Sequence, residues 1–244
     1  MSEMNYKPSV VRNGTVEQID EGLRQYMIKI FNYMGAGLCV TALSAWLTFN
    51  SPLISWMFSA ETGLPTIFGW LLMLAPLALA LIFNSVTSRG SLATLQTVFW
   101  IYSATIGVSL AIVLLPYTRD SIAQVFLITA TTFGVMSFIG YTTKKDLTSI
   151  GSFLVMGLWG VIIASIINIF WQNSGLSLAI SYISVLVFVG LTAWDTQKLK
   201  TLYYASGNND DLRSRIAISG ALSLYLDFVN LFIDLLRIMG SRNR

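Results

Sequence analysis

Seven apolar runs, each long enough for a helix to cross a bilayer, follow one another, with a long polar connector, Ser206–Arg215, before the last. A hydrocarbon core of ~30 Å needs about 20 helical residues at 1.5 Å rise per residue. The runs are Met27–Phe49, Leu64–Phe83, Ala93–Leu115, Ile122–Phe138, Phe153–Trp171, Leu176–Trp194 and Ile216–Leu236. Hydrocarbon offers backbone groups no hydrogen-bond partner, so segments of this length must satisfy their own N–H and C=O groups as helices. The pattern predicts an all-α fold, a polytopic membrane helix bundle. Its breaks carry turn chemistry: Asn50-Ser51-Pro52, Ser88-Arg89-Gly90, Pro116 through Ser121, and Asn173-Ser174-Gly175.

The composition agrees: 55% of residues are hydrophobic and 11% charged, against roughly 25% charged in a soluble domain. No linker divides the runs, so residues 27–239 read as one embedded domain. Residues 1–26 are polar, lack the apolar stretch of a signal peptide, and read as a cytoplasmic tail. Residues 240–244 form a short basic tail. The net charge of +3 is spread in clusters between runs rather than along a stripe, which gives no footprint for nucleic acid. Without histidine and with one cysteine, the chain lacks the side chains for most metal, haem and nucleophile–base sites, so neither a cofactor nor an enzymatic reaction is expected. Cys39, inside the first run, reads as a small packing residue. Small residues at helical spacing, Gly37, Thr41 and Ala45, then Ser103, Gly107 and Ala111, predict close backbone approach.

Cation placement sets an orientation. With the N-terminus inside, Lys7, Arg12, Arg24, Lys29, Arg89, Lys144, Lys145, Lys198, Lys200, Arg213 and Arg215 all fall inside, and Arg119 alone falls on the outer loops. That favours a cytoplasmic N-terminus. Arg237, Arg242 and Arg244 run against the rule, because a seventh full crossing carries them outside. The last run either crosses despite its charges or is re-entrant.

A carboxylate in a membrane helix costs several kcal/mol and marks a functional position by default. Asp227 lies near the middle of the last run among apolar neighbours, with Asn230 and Asp234 at i+3 and i+7 on one stripe. The alternative is a water-facing helix with ordinary solvated acids. Asp195 ends the sixth run, either as an interfacial acid or drawn inward if the helix continues while Lys198 and Lys200 snorkel to the surface. Arg89, between the second and third runs, reads on composition as a topology-setting cation.

The segment Asp195-Thr196-Gln197, the segment Ala221-Leu222-Ser223-Leu224-Tyr225-Leu226-Asp227-Phe228-Val229-Asn230-Leu231-Phe232, and Lys144-Lys145-Asp146-Leu147 together resemble the Bax inhibitor family, the transmembrane Bax inhibitor motif proteins, in its bacterial branch. The likeness extends from about Met27 to Met239. It implies a seven-helix fold with the C-terminal helix central, in the bacterial inner membrane. It also implies a calcium leak whose pH sensor and gate is a di-aspartyl pair, here Asp195 and Asp227, tuned by the cation at the end of the second helix, here Arg89. Two adjacent carboxyls share a proton and titrate as a unit. Once ionised they offer transient oxygen ligands to Ca²⁺.

A second reading, also permitted by the resemblance, is a modulator of a membrane-anchored protease or other membrane partner, with residues 1–26 as the contact. An intramembrane aspartyl protease is a third, but neither Asp195 nor Asp227 is preceded by the Gly-x-Gly of that class.

Overall fold

The computed structural model describes residues 16–59, 65–207 and 209–243, apart from the side chains of residues 16–20, Asn84, Ser88 and Arg89. Eight helices are present among them: α1 Val16–Phe49, α2 Leu53–Met57, α3 Ile67–Arg89, α4 Leu92–Leu114, α5 Arg119–Thr142, α6 Thr148–Trp171, α7 Ser174–Ala205 and α8 Asp210–Met239. All but the short α2 are long and apolar enough to cross a membrane, and the fold is the expected helical bundle. Side-chain caps start most of them where the sequence breaks. Thr66, Ser91, Thr118, Asn173 and Asn209 each accept from the amide three residues on, which satisfies one of the orphan N–H groups of a first turn. Before α6, Asp146 accepts from the Thr148 hydroxyl and amide, and these bonds hold its carboxyl below the ordinary range.

α8 is the axis of the bundle. It packs on α1, α4, α5 and α7, and 67% of its apolar window is buried, against 0% for α6, which packs chiefly on α7. Lipid tails are as apolar as leucine, so burying apolar area does not drive these helices together; close packing does. A Cβ on Gly107 would stand 2.3 Å from the Thr41 carbonyl oxygen, and one on Gly140 would stand 2.2 Å from that of Ala193. The α1–α4 and α5–α7 seams therefore rest on backbone contact. The expected small-residue stripes form the first of these seams, where Thr41 and Ser44 lie 2.8 and 2.9 Å from the carbonyls of Ser103 and Ala104. Cys39 is not part of it. Two residues from Gly37 it has rotated about 200° around the helix, and it is exposed on the outer face of α1.

Two helices outrun their apolar stretches. α1 begins at Val16, and Leu23 and Tyr26 are already buried in the core; residues 1–15 of the expected tail lie outside the described residues. α7 continues past Trp194 to Ala205. Lys198 reaches over the Trp194 ring at 4.8 Å, and Lys200 donates to the Tyr141 carbonyl at 3.1 Å. Their stems thus lie along the bundle while the charges reach its end.

The last helix is a continuous 30-residue rod, about 45 Å long at 1.5 Å per residue. Beyond it the Thr118 amide donates to the Ser241 carbonyl, and the Asn243 amide donates to that of Pro116. Residues 241–243 are therefore held against the α4–α5 turn, at the end of the bundle opposite the start of α1. α8 is a full crossing, not a re-entrant segment.

Candidate functional site

α7 and α8 run antiparallel, and two contacts fix their register. Ser184 donates to the Asp234 carboxylate, and Gly220 lies so close to Leu199 that a Cβ there would meet its Cδ2 at 2.2 Å. Interpolating between these contacts sets Asp195 level with Ser223. Asp227 then stands one turn farther along α8, about 5–6 Å along the axis. The extension of α7 brings this about: Asp195 is an internal residue of that helix, not its end.

The two acids have different surroundings. Asp195 is half-buried and lines a cleft of 440 Å³ between α3, α7 and α8, together with Phe83, Thr87, Lys198, Arg215, Ser219 and Ser223. The cleft lies at the end of the bundle where α3 ends and α8 begins. Asp227 sits behind it, 5% exposed, with its Oδ2 buried and without a hydrogen-bond partner. Lys198 is the cation whose field reaches Asp195, and Asp195 is the acid whose field reaches Asp227.

Of the other residues singled out in the sequence, Asp234 is buried 7 residues beyond Asp227. It accepts from Ser184, has Ser181 within reach, and lies 3.6 Å from Arg237. Asn230 is half-buried between the two acids. Arg89 closes α3 beside the cleft, but its side chain lies outside the described residues.

Three side chains to which the sequence reading assigned no part in the site also shape it. Arg215 donates to the Gly90 carbonyl at 2.6 Å and to Asp211 at 2.8 Å, tying the α3–α4 turn to α8 at the mouth of the cleft. Its signal was present in the sequence: Arg215, Ser219, Ser223 and Asp227 recur at four-residue intervals, a polar line along one helix face. Gln197 clasps the α5–α6 turn, accepting from the Leu147 amide at 2.8 Å and donating to the Lys145 carbonyl at 2.7 Å. Tyr225 is fully buried, stands edge-on to Phe99 and Tyr102, and shares a 2.7 Å hydrogen bond with Thr41.

This geometry, one acid on the buried axial helix and another on the helix antiparallel to it, stands beside what the chain is similar to. Residues 23–244 match the family model described as inhibitor of apoptosis-promoting Bax1. The chain belongs to the Bax inhibitor family. It is 41% identical over 232 residues to the inner membrane protein YbhL of Escherichia coli, covering 95% of this chain and 97% of that protein. It is 45% identical over 240 residues to an uncharacterised protein of Rickettsia prowazekii, covering 98% and 99%, and 39% identical over 249 residues to one of Caulobacter vibrioides, covering 98% of each. As a Bax inhibitor family member with seven spanning helices, it is an integral membrane protein.

Chemically, the cleft presents the Asp195 carboxyl with the hydroxyls of Ser219, Ser223 and Thr87 on its wall, while the Asp227 carboxyl stays buried behind them. Among the described residues, no three acid, cysteine or histidine side chains gather into a metal cage.

Proposed function

We propose that the chain is a pH-sensitive calcium leak of the bacterial inner membrane, with its N-terminus in the cytoplasm and a proton shared between Asp195 and Asp227 as its gate. One observation carries this reading. A carboxylate oxygen lies buried and unpartnered at mid-depth in the central helix, one turn from a second carboxyl that lines a cleft open at the end of the bundle. With a proton between them, one carboxyl donates to the other and fastens α7 to α8. With none, two like charges face each other in a low-dielectric interior, which favours separation of the helices. Separation exposes the oxygens that a hard cation needs. The inner cleft and the larger hollow beyond α8 lie on opposite faces of that helix, Leu226 lining one and Phe228 the other. Continuity therefore requires α8 to move. No cofactor and no enzymatic step enters this reading. Placement in the inner membrane rests on the similarity to YbhL, and the orientation rests on the eleven inner cations.

The test is Ca²⁺ entry into proteoliposomes holding the purified full-length protein, scanned over pH. The wild type should leak more on the alkaline side. Asp195→Asn and Asp227→Asn should each flatten the profile, and the double variant should add little, because groups acting as a unit are non-additive. A steep response surviving in both single variants removes the gate. Deleting residues 1–15 separates the alternative role as a modulator of a membrane-anchored protease: a leak survives the deletion, whereas control through that tail does not.

A further inference from the structure

On the far side of α8 from Asp195, between α1 and α5, lies a second hollow of 780 Å³. Phe228, Val229 and Phe232 of α8 form its floor, Leu38 and Ala45 one wall and Phe126 the other. No carboxylate lines it. Trp46, 61% exposed, stands at its lip with Phe126. A lip of large exposed apolar side chains on a membrane helix faces hydrocarbon, so the hollow opens sideways to lipid rather than endwise to water.

Its dimensions select an occupant. Along α1 it runs from Leu38 to Asn50, about 18 Å at 1.5 Å per residue, close to half of a ~30 Å hydrocarbon core. That length suits the extended acyl chains of one leaflet.

Its polar end selects a charge. Arg119 lies there, exposed and without an ion pair among the described residues. Asn50 is beside it, with one amide hydrogen left after donating to the Trp46 carbonyl. Arg242 rests over the Tyr117 ring at the same rim, 5.9 Å from its centre. A guanidinium fork matches a phosphate, and cations at headgroup level recruit anionic lipid. A shallower hollow continues along the α1–α5 seam towards Arg24, but Glu21 already holds that guanidinium at 2.9 Å. The free cation is at the Arg119 end.

We propose that this crevice is a binding site for an anionic glycerophospholipid from the leaflet on the Arg119 side, its phosphate on Arg119 and its chains along Phe228 and Phe232. The lipid then fills the seam between α1 and α5 and braces both against α8. The inference is independent of whether the protein conducts calcium.

The test uses the full-length protein in nanodiscs of unlabelled phosphatidylcholine, titrated with bromine-labelled phosphatidylglycerol or bromine-labelled phosphatidylcholine. The difference in emission between wild type and Trp46→Phe isolates Trp46. Half-quenching should come at about a ten-fold lower mole fraction of the glycerol lipid than of the choline lipid, and Arg119→Gln should bring the two curves together. Equal quenching by both lipids in the wild type would show ordinary annular lipid and overturn the site. A glycerol-lipid preference that persists in Arg119→Gln overturns the role of the guanidinium. Trp46 shielded from both lipids would show that protein, not lipid, fills the crevice.

Discussion

Asp227 and Asp234 lie two turns apart on one helix, both buried, and the structure gives their neutralisation opposite signs. Asp227 holds a carboxylate oxygen with no donor facing it, and an unsatisfied buried polar group costs about 1–3 kcal/mol. Asp227→Asn keeps the side-chain shape, removes the charge, and supplies N–H groups one turn from the acceptor Asp195. The folded bundle should gain about 1–3 kcal/mol. For a chain of this length each kcal/mol moves the midpoint by roughly 2–4 °C, so the melting temperature should rise by about 2–10 °C. Asp234 is satisfied by Ser184 and faced by Arg237 at 3.6 Å. Asp234→Asn weakens a charge-assisted bond, worth about 1 kcal/mol more than a neutral one, and should lower the midpoint by about 2–4 °C. The assay is thermal unfolding followed by tryptophan emission, with both variants in the same detergent and buffer. If Asp227→Asn melts lower than wild type, Asp227 is a satisfied structural acid, and the argument from its orphaned oxygen fails. A stability gain that accompanies loss of the pH response would identify Asp227 as a residue kept at a cost to the fold.

Two further outcomes follow from the seams around the site. Gly140→Val sets a side chain against the Ala193 carbonyl, a backbone group that cannot rotate away; overpacking of this kind costs about 1–3 kcal/mol, so the variant should melt lower in the same assay, whereas Gly160→Val, with open space at its Cβ, should not. Arg215→Gln releases the Gly90 carbonyl and Asp211, so amide hydrogen exchange should rise several-fold in the α3–α4 turn and stay unchanged in the α5–α6 turn that Gln197 holds.

The spans and their order were legible because lipid imposes length and apolarity on every crossing segment, whereas the central place of the last helix came from the resemblance and from its stripe of Asp227, Asn230 and Asp234, which only a protein-lined interior accommodates. Their ends were less so. A run judged by hydropathy stops at the first charges, and so missed the inner turns of α1 and of α7, where Lys198 and Lys200 extend outward along a helix that has not ended. α2 is a single turn-and-a-half between breaks, and too short to leave a periodic pattern. Asp195 and Asp227 were visible as residues, but their spacing was not. It depends on the α7–α8 register, which Gly220 and Leu199 set at one end and Ser184 and Asp234 at the other. Arg215 read only as an inner topology cation for a related reason. Its pairing with Asp211 at i and i+4 reads as an ordinary solvated pair, and a carbonyl acceptor such as Gly90 leaves no mark in a sequence.

The distribution of polarity gives the site its logic. α6, with a mean hydropathy of 2.3, packs on α7 and leaves the rest of its surface exposed, while α8, at 1.8, is the helix most enclosed by protein. This inverts the pattern of a soluble bundle, because a charged group on a lipid-facing helix would have no partner, while small hydroxyls such as that of Ser165 bond back to their own helix. Enclosure lets α8 carry Asp227, Asn230 and Asp234, and it obliges the neighbouring helices to supply partners. α7 does so at one level with Ser184 and α1 at another with Thr41, which meets Tyr225. At the level of Asp227 that provision stops on one oxygen, and the nearest charged group facing it is another acid. The hydroxyls of Tyr26, Ser137 and Ser181 are also buried without partners, but among the described residues Asp227 holds the one buried carboxylate oxygen in that state, and the proposed gate rests on that oxygen.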